Sequence, residues 1–165
     1  MIELDRLDLK ILDELQRNGR LSITELGERI GLSTSPCSER VRRLERHGVI
    51  TGYHARVAPA AVGKSLLVFV ELTLSSKSED VFETVRRELL HMPEVMECHL
   101  VSGSFDYLVK ARLQAMTAYR DLLGSILRKI PVPAQSHSYV VMEEVKESSY
   151  LPLTGGESPH KPSAR

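Results

Sequence analysis

Residues 22–53 decide the fold of the N-terminal part and read SITELGERIGLSTSPCSERVRRLERHGVITGY. Ser22 and Glu25 form a capping-box pattern before an apolar stripe, and Gly31 provides a stop, so this part predicts a short helix. A second helix begins near Ser33, a residue type that favours N-caps. Two short helices separated by one glycine are typical of a helix-turn-helix, whose second helix enters the major groove of DNA.

The second helix of this motif has one apolar and one polar face. Cys37, Val41 and Leu44 follow helical spacing toward a core. The remaining residues predict a surface that contacts base edges near its amino end and phosphates further along. The residues assigned to DNA contact are Ser33, Thr34, Ser35, Ser38, Glu39, Arg40, Arg42, Arg43 and Arg46.

The arginines of this helix have different expected roles. Arg42 is the best candidate for a guanine edge, whereas Arg43 and Arg46 are expected to neutralise phosphates. The alternative is a solvated face on which these arginines pair with Glu39 and Glu45 at helical spacings. Such pairs would contribute only about 0.3 kcal/mol each and would not explain the crowding of arginines behind a capped turn.

Charge is unevenly distributed along the chain. The 165 residues carry 22 basic and 22 acidic side chains, which excludes a globally basic protein. Residues 29–56 nevertheless hold six basic against two acidic side chains, net +4, whereas residues 1–28 hold four against seven, net −3. The positive charge is therefore concentrated on the second helix and the segment after it, which favours binding to a polyanion.

The pattern changes at Ser65, after the punctuation of Pro59 and Gly63. From there, alternation and helical stripes follow the order β, α, β, β, α, β, with the last strand at residues 139–145. Two strand-helix-strand crossovers predict a ferredoxin-like sandwich with helices on one sheet face and the other face open. The predicted class is therefore α+β: an N-terminal winged helix-turn-helix followed by a ferredoxin-like βαββαβ domain.

Four parts of the chain follow from these patterns. They are a winged helix-turn-helix domain over residues 1–52, an extended linker over 53–64, the ferredoxin-like domain over 65–148, and a tail over 149–165. Glycine, serine and proline in the tail predict disorder. A unit of about 55 residues buries only about 60% of its unfolded surface, and an open apolar sheet face needs a partner, so we expect an oligomer.

The remaining residue types exclude several classes of site. Cys37 and Cys98 lie in different domains within apolar patterns, so no disulfide is expected. The histidines lack metal-ligand spacing with either cysteine, so no metal or other cofactor is assigned. No charged-then-apolar leader opens the sequence, and no apolar run is long enough to span a bilayer, so we expect a cytoplasmic location.

Three separated segments resemble the leucine-responsive regulatory protein/AsnC (Lrp/AsnC) family, and most closely its leucine-responsive branch. They are STSPCSERVRRLERHGVITG at residues 33–52, ECHLVSG with FDY within 97–107, and YVVMEEVK at 139–146. The resemblance covers about residues 3–147. It implies a bacterial or archaeal transcription regulator that binds double-stranded DNA and forms homodimers that often assemble into octamers. It also implies a response to a small amino-acid effector, for which the resemblance favours leucine.

The resemblance also implies that the effector lies between dimers, near the hairpin linker at residues 103–106, and makes residues 65–148 an effector-binding and oligomerisation domain. Asp106 is the candidate for the ammonium group, Ser102, Ser104 and the Gly103 backbone for the carboxylate, and apolar residues for the side chain. The assigned set is Leu100, Ser102, Gly103, Ser104, Asp106, Met116, Tyr139, Val140 and Val141. Ser104 departs from the family, where many relatives carry an acidic residue.

Other interpretations of these residues remain open. Gly103 and Asp106 are also ordinary residues of a hairpin turn, and the apolar members of the set also suit an interface core. Tetrapyrrole decarboxylases share the two-domain architecture, but their chemistry does not need an arginine-rich second helix, so no catalytic residue is assigned. A third interpretation is an architectural protein that wraps DNA on an octamer and responds to no ligand. Only the hairpin linker argues against it.

Overall fold

A computed structural model describes residues 2–153 of the chain. The contacts divide the chain into two units. The first contains Met1–Ala55 together with the segment that begins at Lys146, and the second is Arg56–Val145. Each unit has its own cluster of buried apolar side chains.

The described residues of the first unit contain three α-helices: α1 (Arg6–Arg17), α2 (Ile23–Ile30) and α3 (Thr34–Arg46). Asp5 caps α1, and Ser22 and Glu25 form the reciprocal capping box that the sequence predicts for α2. Gly31 ends α2 in the left-handed conformation, with a φ of 77°, where a side chain would be strained. Local sequence signals therefore determine where α2 begins and ends.

Apolar side chains from all three helices meet in one core. Its buried members are Ile11, Leu12, Leu26, Ile30, Cys37, Val41 and Leu44. The turn from α2 to α3 is so tight that a Cβ added at Gly27 would come within 2.6 Å of the Leu32 carbonyl oxygen. The Leu32 N–H donates to the Gly27 carbonyl at 2.8 Å. A side chain at Gly27 would therefore push this turn, and with it the start of α3, out of place.

The segment after α3 forms no β-strand within the described residues 47–58. The N–H groups of Val49 and Ile50 instead donate to the Leu44 carbonyl at 2.9 and 3.3 Å, and both side chains pack against the helical core. The Tyr53 hydroxyl then donates to Glu45 at 3.0 Å. The segment predicted to form the wing is therefore attached to the end of α3 by these hydrogen bonds and contacts.

The second unit is a four-stranded antiparallel sheet with two helices. A short 3₁₀ helix (Pro59–Val62) precedes β1 (Leu66–Leu74), α4 (Glu79–Leu90), β2 (Val95–Leu100), β3 (Tyr107–Leu113), α5 (Met116–Lys129) and β4 (Ala134–Val140). The strand order is β2-β3-β1-β4. This order confirms the predicted ferredoxin-like βαββαβ domain and the α+β class.

Alternate residues of the two central strands form the core of this unit. Val68, Val70 and Leu72 of β1 and Val109 of β3 are fully buried in a cluster with side chains of α4 and α5. Intervening residues such as Phe69 and Lys110 point to the opposite sheet face and are only partly buried, whereas Leu67 and Arg112 on that face are buried. The sheet therefore has one face packed against helices and one face that is more open, as the sequence predicts.

The prediction of the last strand at residues 139–145 is wrong. The strand is Ala134–Val140, and the Val141 N–H makes one further hydrogen bond, to the Leu67 carbonyl at 3.0 Å. Residues 135–138 are polar because β4 is an edge strand whose side chains are mostly exposed, so it shows little apolar alternation. Its pairing partner β1, rather than its own composition, determines where it lies.

Residues 149–153 depart from the expectation of a disordered tail. The Tyr150 hydroxyl donates to Asp13, and the Arg17 guanidinium lies 5.4 Å from the Tyr150 ring centre. Leu151 exchanges two hydrogen bonds with Gln16, and Leu153 packs against the helical core; the rest of the predicted tail, residues 154–165, lies outside the described residues. The prediction of disorder was wrong for these residues because it was based on the glycine, serine and proline content of the whole tail and not on its few aromatic and apolar side chains.

Candidate functional site

One face of α3 is concave and exposed. The side chains that line it are Thr34, Ser35, Ser38, Glu39, Arg42, Glu45 and Arg46. All of these except Glu45 belong to the DNA-contact set predicted from the sequence. Within the described residues, neither Arg42 nor Arg46 forms an ion pair, so the alternative in which they pair with Glu39 and Glu45 is not observed. Ser33 is the exposed N-cap of α3 and lies outside this lining.

Arg40 and Arg43 occupy the side of α3 that faces α1. The Arg40 guanidinium lies 2.7 Å from Asp5 and 2.9 Å from Asp8, and the Arg43 guanidinium also binds Asp8. Asp8 is completely buried, whereas 27% and 37% of the two arginine side chains are exposed. The structure therefore places these two arginines at a contact between helices rather than in the concave face.

Asp5 and Asp8 are functional candidates that the sequence analysis missed. Asp8 precedes Ile11 and Leu12 by three and four residues, so it lies on the buried stripe of α1. A buried carboxylate needs a cationic partner, so the position of Asp8 on this stripe could have indicated an ion pair from the sequence. The pKa of Asp5 lies below its ordinary value because its carboxylate accepts the Asp8 N–H and binds Arg40.

The hairpin between β2 and β3 exposes Ser102, Gly103 and Ser104. Gly103 has a φ of 150°, and an added Cβ would meet no atom within 4 Å, so the space beside its backbone is open. The Val101 N–H donates to the Asp106 carbonyl at 2.9 Å and closes the loop. The loop therefore presents exposed hydroxyl groups beside an accessible backbone, which suits a small carboxylate ligand.

Asp106 is buried beneath this loop. One carboxylate oxygen accepts the Leu74 N–H at 2.8 Å, and the other binds the Lys77 ammonium at 2.8 Å. Burial would raise the pKa of Asp106, but Lys77 and the Leu74 N–H outweigh burial and hold it below its ordinary value. Both oxygens therefore already have partners, and the residue anchors the hairpin to the end of β1.

The remaining effector candidates fall into separate places in the second unit. Leu100 lines a groove of about 200 Å³ between α4 and β2, together with Leu90 and Met96. Met116 begins α5 directly after β3, and the Tyr139 to Val141 group lies beside the start of β1. Asp106 lies at the other end of β1, next to Leu72 and Leu74. Five strand residues, about 17 Å, separate these two ends.

Other chemistry-bearing residues provide no second site. Burial raises the pKa of the Cys37 thiol, and desolvation by neighbouring groups raises that of the Cys98 thiol although the residue is exposed, so neither is activated as a nucleophile. Within residues 2–153, no group of three or more histidine, cysteine, aspartate or glutamate side chains is arranged to hold a metal ion. None of the helices in this range combines the length and hydropathy that crossing a bilayer requires.

Two family models match separate parts of the chain. Residues 4–51 match the model of a winged helix-turn-helix DNA-binding domain, and residues 67–151 match that of the Lrp/AsnC ligand binding domain. The chain is 54% identical over 149 residues to the leucine-responsive regulatory protein of Escherichia coli, which spans 90% of this chain and 91% of that protein.

Two solved structures are similar along nearly the whole chain. A transcriptional regulator from Neisseria meningitidis in complex with L-methionine has a TM-score of 0.85 and 36% identity, covering 92% of this chain and 97% of that one. A feast or famine regulatory protein from M. tuberculosis, also complexed with L-methionine, has a TM-score of 0.82 and 33% identity, covering 90% and 99%.

Proposed function

Because this chain belongs to the Lrp/AsnC family of transcriptional regulators, we propose that it reads DNA with the concave face of α3 and that a small amino acid controls this binding. Family membership decides against the decarboxylase alternative, because the relatives are regulators. The proposal assigns specific residues to the two activities. It rests on the exposed, unpaired Arg42 and Arg46 of the first unit and on the hairpin of the second.

The concave face has the chemistry that base recognition needs. Arg42 lies near the middle of α3 on its exposed side and can donate two hydrogen bonds to a guanine edge, which is worth about 1 to 3 kcal/mol of discrimination. Glu39 can accept from a cytosine amino group, and the hydroxyls of Ser35 and Ser38 can bond to bases or to phosphates. Arg46, one turn further on, is assigned to phosphate.

Binding titrations with a selected operator and with an unrelated duplex test this assignment. Arg42→Ala should lower operator affinity by about 5- to 150-fold and reduce the preference for the operator. Arg120→Ala, which removes an exposed cation from α5, is the matched control and should leave the preference unchanged. An unchanged preference in the Arg42 variant would remove this residue from the recognition surface.

The effector assignment concerns the hairpin and the two ends of the sheet. We assign the ligand carboxylate to the Gly103 backbone and the hydroxyls of Ser102 and Ser104, and we reassign Asp106 to holding this loop in place. We assign the ligand side chain to an apolar wall of Met116, Tyr139, Val140 and Val141, of which the last three lie beside the start of β1, about 17 Å from the Asp106 end of this strand in the same chain. One ligand of amino-acid size cannot contact both groups in a single chain, so the assignment requires a second copy.

Assembly is therefore part of the proposal. Leu100, Met116 and Tyr139 each expose about half of their surface, so these apolar side chains are available for contact with another copy. We propose a homodimer that assembles further, to an octamer, and places the hairpin of one copy near the apolar wall of another. A cytoplasmic location completes the proposal, because the DNA that a regulator reads is there.

Leucine and methionine are the first effectors to test, since relatives are named for the former or were solved with the latter. Sizing and operator titrations with L-leucine, L-methionine and their D-enantiomers should show a shift in assembly or affinity with at least one of the L-amino acids. The D-enantiomers should cause no shift. No response to any amino acid, together with long DNA protection of regular helical phasing, would favour the ligand-independent architectural alternative. Coupling of about 1 to 3 kcal/mol is typical of such regulation.

A further inference from the structure

Two carboxylates before and within the first turn of α1 neutralise half of the arginines of α3. Asp8 is completely buried and binds both Arg40 and Arg43, and Asp5 adds a second carboxylate to Arg40. The Arg43 Nε is also buried, because the side chain is turned toward the contact between α1 and α3. This Nε has no hydrogen-bond acceptor among the described residues. These arginines are therefore fixed in the protein before any DNA is present.

This arrangement changes the charge that α3 offers to DNA. The sequence shows a net charge of +4 over residues 29–56, but three of those cations, Arg29, Arg40 and Arg43, pair with acids from residues 1–28. On the concave face, Arg42 and Arg46 are accompanied by Glu39 and Glu45, so the side chains there carry no net charge. Only two arginines of α3 remain available to phosphates or bases.

We propose that Asp8 is a specificity-determining residue that holds Arg40 and Arg43 away from the phosphate backbone. This inference rests on the proposed function, in which α3 enters the groove. Phosphate contacts add affinity for every sequence equally, whereas base contacts distinguish one sequence from another. By keeping Arg40 and Arg43 out of contact with phosphate, so that Arg46 is the phosphate-directed arginine of α3, Asp8 keeps binding to unrelated DNA weak and leaves discrimination to Arg42.

The salt dependence of DNA binding measures this effect directly. Each phosphate contact contributes about 0.9 to the slope of log affinity against log salt. One further contact would therefore add about 3.5-fold to the loss of affinity between 50 and 200 mM salt. A residue that only stabilises the fold would not raise this slope.

The experiment uses the full chain, one operator and one unrelated duplex, and titrations at several salt concentrations. Asp8→Asn removes the charge but keeps hydrogen-bonding atoms at the buried position. Because Asp5 still binds Arg40, the variant releases Arg43 alone. We expect it to raise the slope by about 0.9 per protomer, to strengthen binding to unrelated DNA by 3-fold or more at low salt, and to lower the ratio of operator to unrelated binding. Glu3→Gln removes the same charge from an exposed residue of the same segment and should change none of these values.

A second set of variants decides the matter even if Asp8→Asn does not fold. Arg43→Ala and the milder Arg43→Gln should leave the slope of the wild-type protein unchanged, because Arg43 does not contact phosphate. Arg46→Ala should lower the slope by about 0.9. A loss of 0.9 in the Arg43 variants, or no rise in slope in a folded Asp8→Asn protein, would overturn the inference.

The failure of the proposed function gives a different result. If α3 does not contact DNA, Arg42→Ala and Arg46→Ala will both leave operator affinity and salt dependence unchanged. If α3 contacts DNA but Asp8 does not restrain the two arginines, the Arg42 and Arg46 variants will respond while Asp8→Asn leaves the slope unchanged. The two sets of measurements therefore separate the inference from the function on which it rests.

Discussion

Replacing Asp106 tests whether its carboxylate anchors the hairpin or binds the ligand. Asp106→Ala removes the acceptor of the buried Leu74 N–H, and an unsatisfied buried donor costs about 1 to 3 kcal/mol. It also removes the ion pair with Lys77, whose side chain is 57% exposed, so this loss adds at most about 1 kcal/mol. We expect a total loss of about 3 kcal/mol in the free energy of unfolding of the second unit.

This loss should be visible in calorimetry. The second unit, Arg56–Val145, is of the size at which 1 kcal/mol shifts the Tm by about 4 to 8 °C, so Asp106→Ala should lower its Tm by about 12 to 24 °C. Asp106→Asn keeps an acceptor for Leu74 and loses only the charge, so a decrease of about 1 kcal/mol is expected. The chain contains no tryptophan, which makes calorimetry and far-UV circular dichroism the suitable probes.

The pH dependence supplies an independent check. The folded-state pKa of Asp106 lies below the ordinary value of 3.8, so the ionised form stabilises the folded unit. This stabilisation is fully present above about pH 4 and disappears as the pH falls through the lowered folded-state pKa. The difference in stability between the wild-type protein and Asp106→Asn should therefore shrink below pH 4.

The contrary result is equally clear. If Asp106→Ala retains the wild-type Tm within about 1 °C and only loses the response to L-leucine or L-methionine, the carboxylate is the ammonium partner that the sequence suggested. The structural assignment of Asp106 as an anchor would then be wrong. Lys77→Met, which removes the exposed cation but leaves the Leu74 hydrogen bond, should destabilise the second unit by less than about 1 kcal/mol.

Three further predictions concern the first unit. Ser22→Ala removes the capping box with Glu25 and should lower the free energy of unfolding by about 1 kcal/mol in urea titrations, whereas an unchanged midpoint would show that the cap contributes nothing. Burial and the hydrogen bond to Glu45 raise the pKa of Tyr53 to about 12. The stability that the protonated hydroxyl provides is therefore present below about pH 10 and lost toward pH 12. Unfolding titrations at each pH should show that Tyr53→Phe abolishes this loss. Leu153→Ala should cost about 1 to 2 kcal/mol because the side chain packs against the helical core, and a wild-type Tm would contradict that contact.

The helices and the central strands were predictable because their signals are local. Capping residues and apolar residues at helical spacing define α2, and β3 shows the strong alternation of a strand with one face in the core. The edge strand β4 was not predictable in the same way. Its side chains are mostly exposed, so its position depends on hydrogen bonds to β1, which lies more than sixty residues earlier in the chain.

The exposed face of α3 was also predictable, because helical geometry alone places Arg42 and Arg46 opposite Val41 and Leu44. The partners of Arg40 and Arg43 were not, because Asp8 lies 32 and 35 residues away in sequence and meets them only through the packing of α1 against α3. The anchoring role of Asp106 was hidden for the same reason, since Leu74 is 32 residues distant. Local patterns thus show which side chains are exposed, and tertiary contacts decide which of them are already occupied.

The contact of Tyr150 and Leu151 with α1 has a consequence for how the molecule is made. Gln16 and Leu151 are 135 residues apart, so α1, α2 and α3 leave the ribosome long before the segment that packs against them has been translated. The packing of α1 can therefore be completed only after this segment has been translated. A premature stop codon near the end of the gene would consequently remove contacts from a helix that is encoded at its beginning.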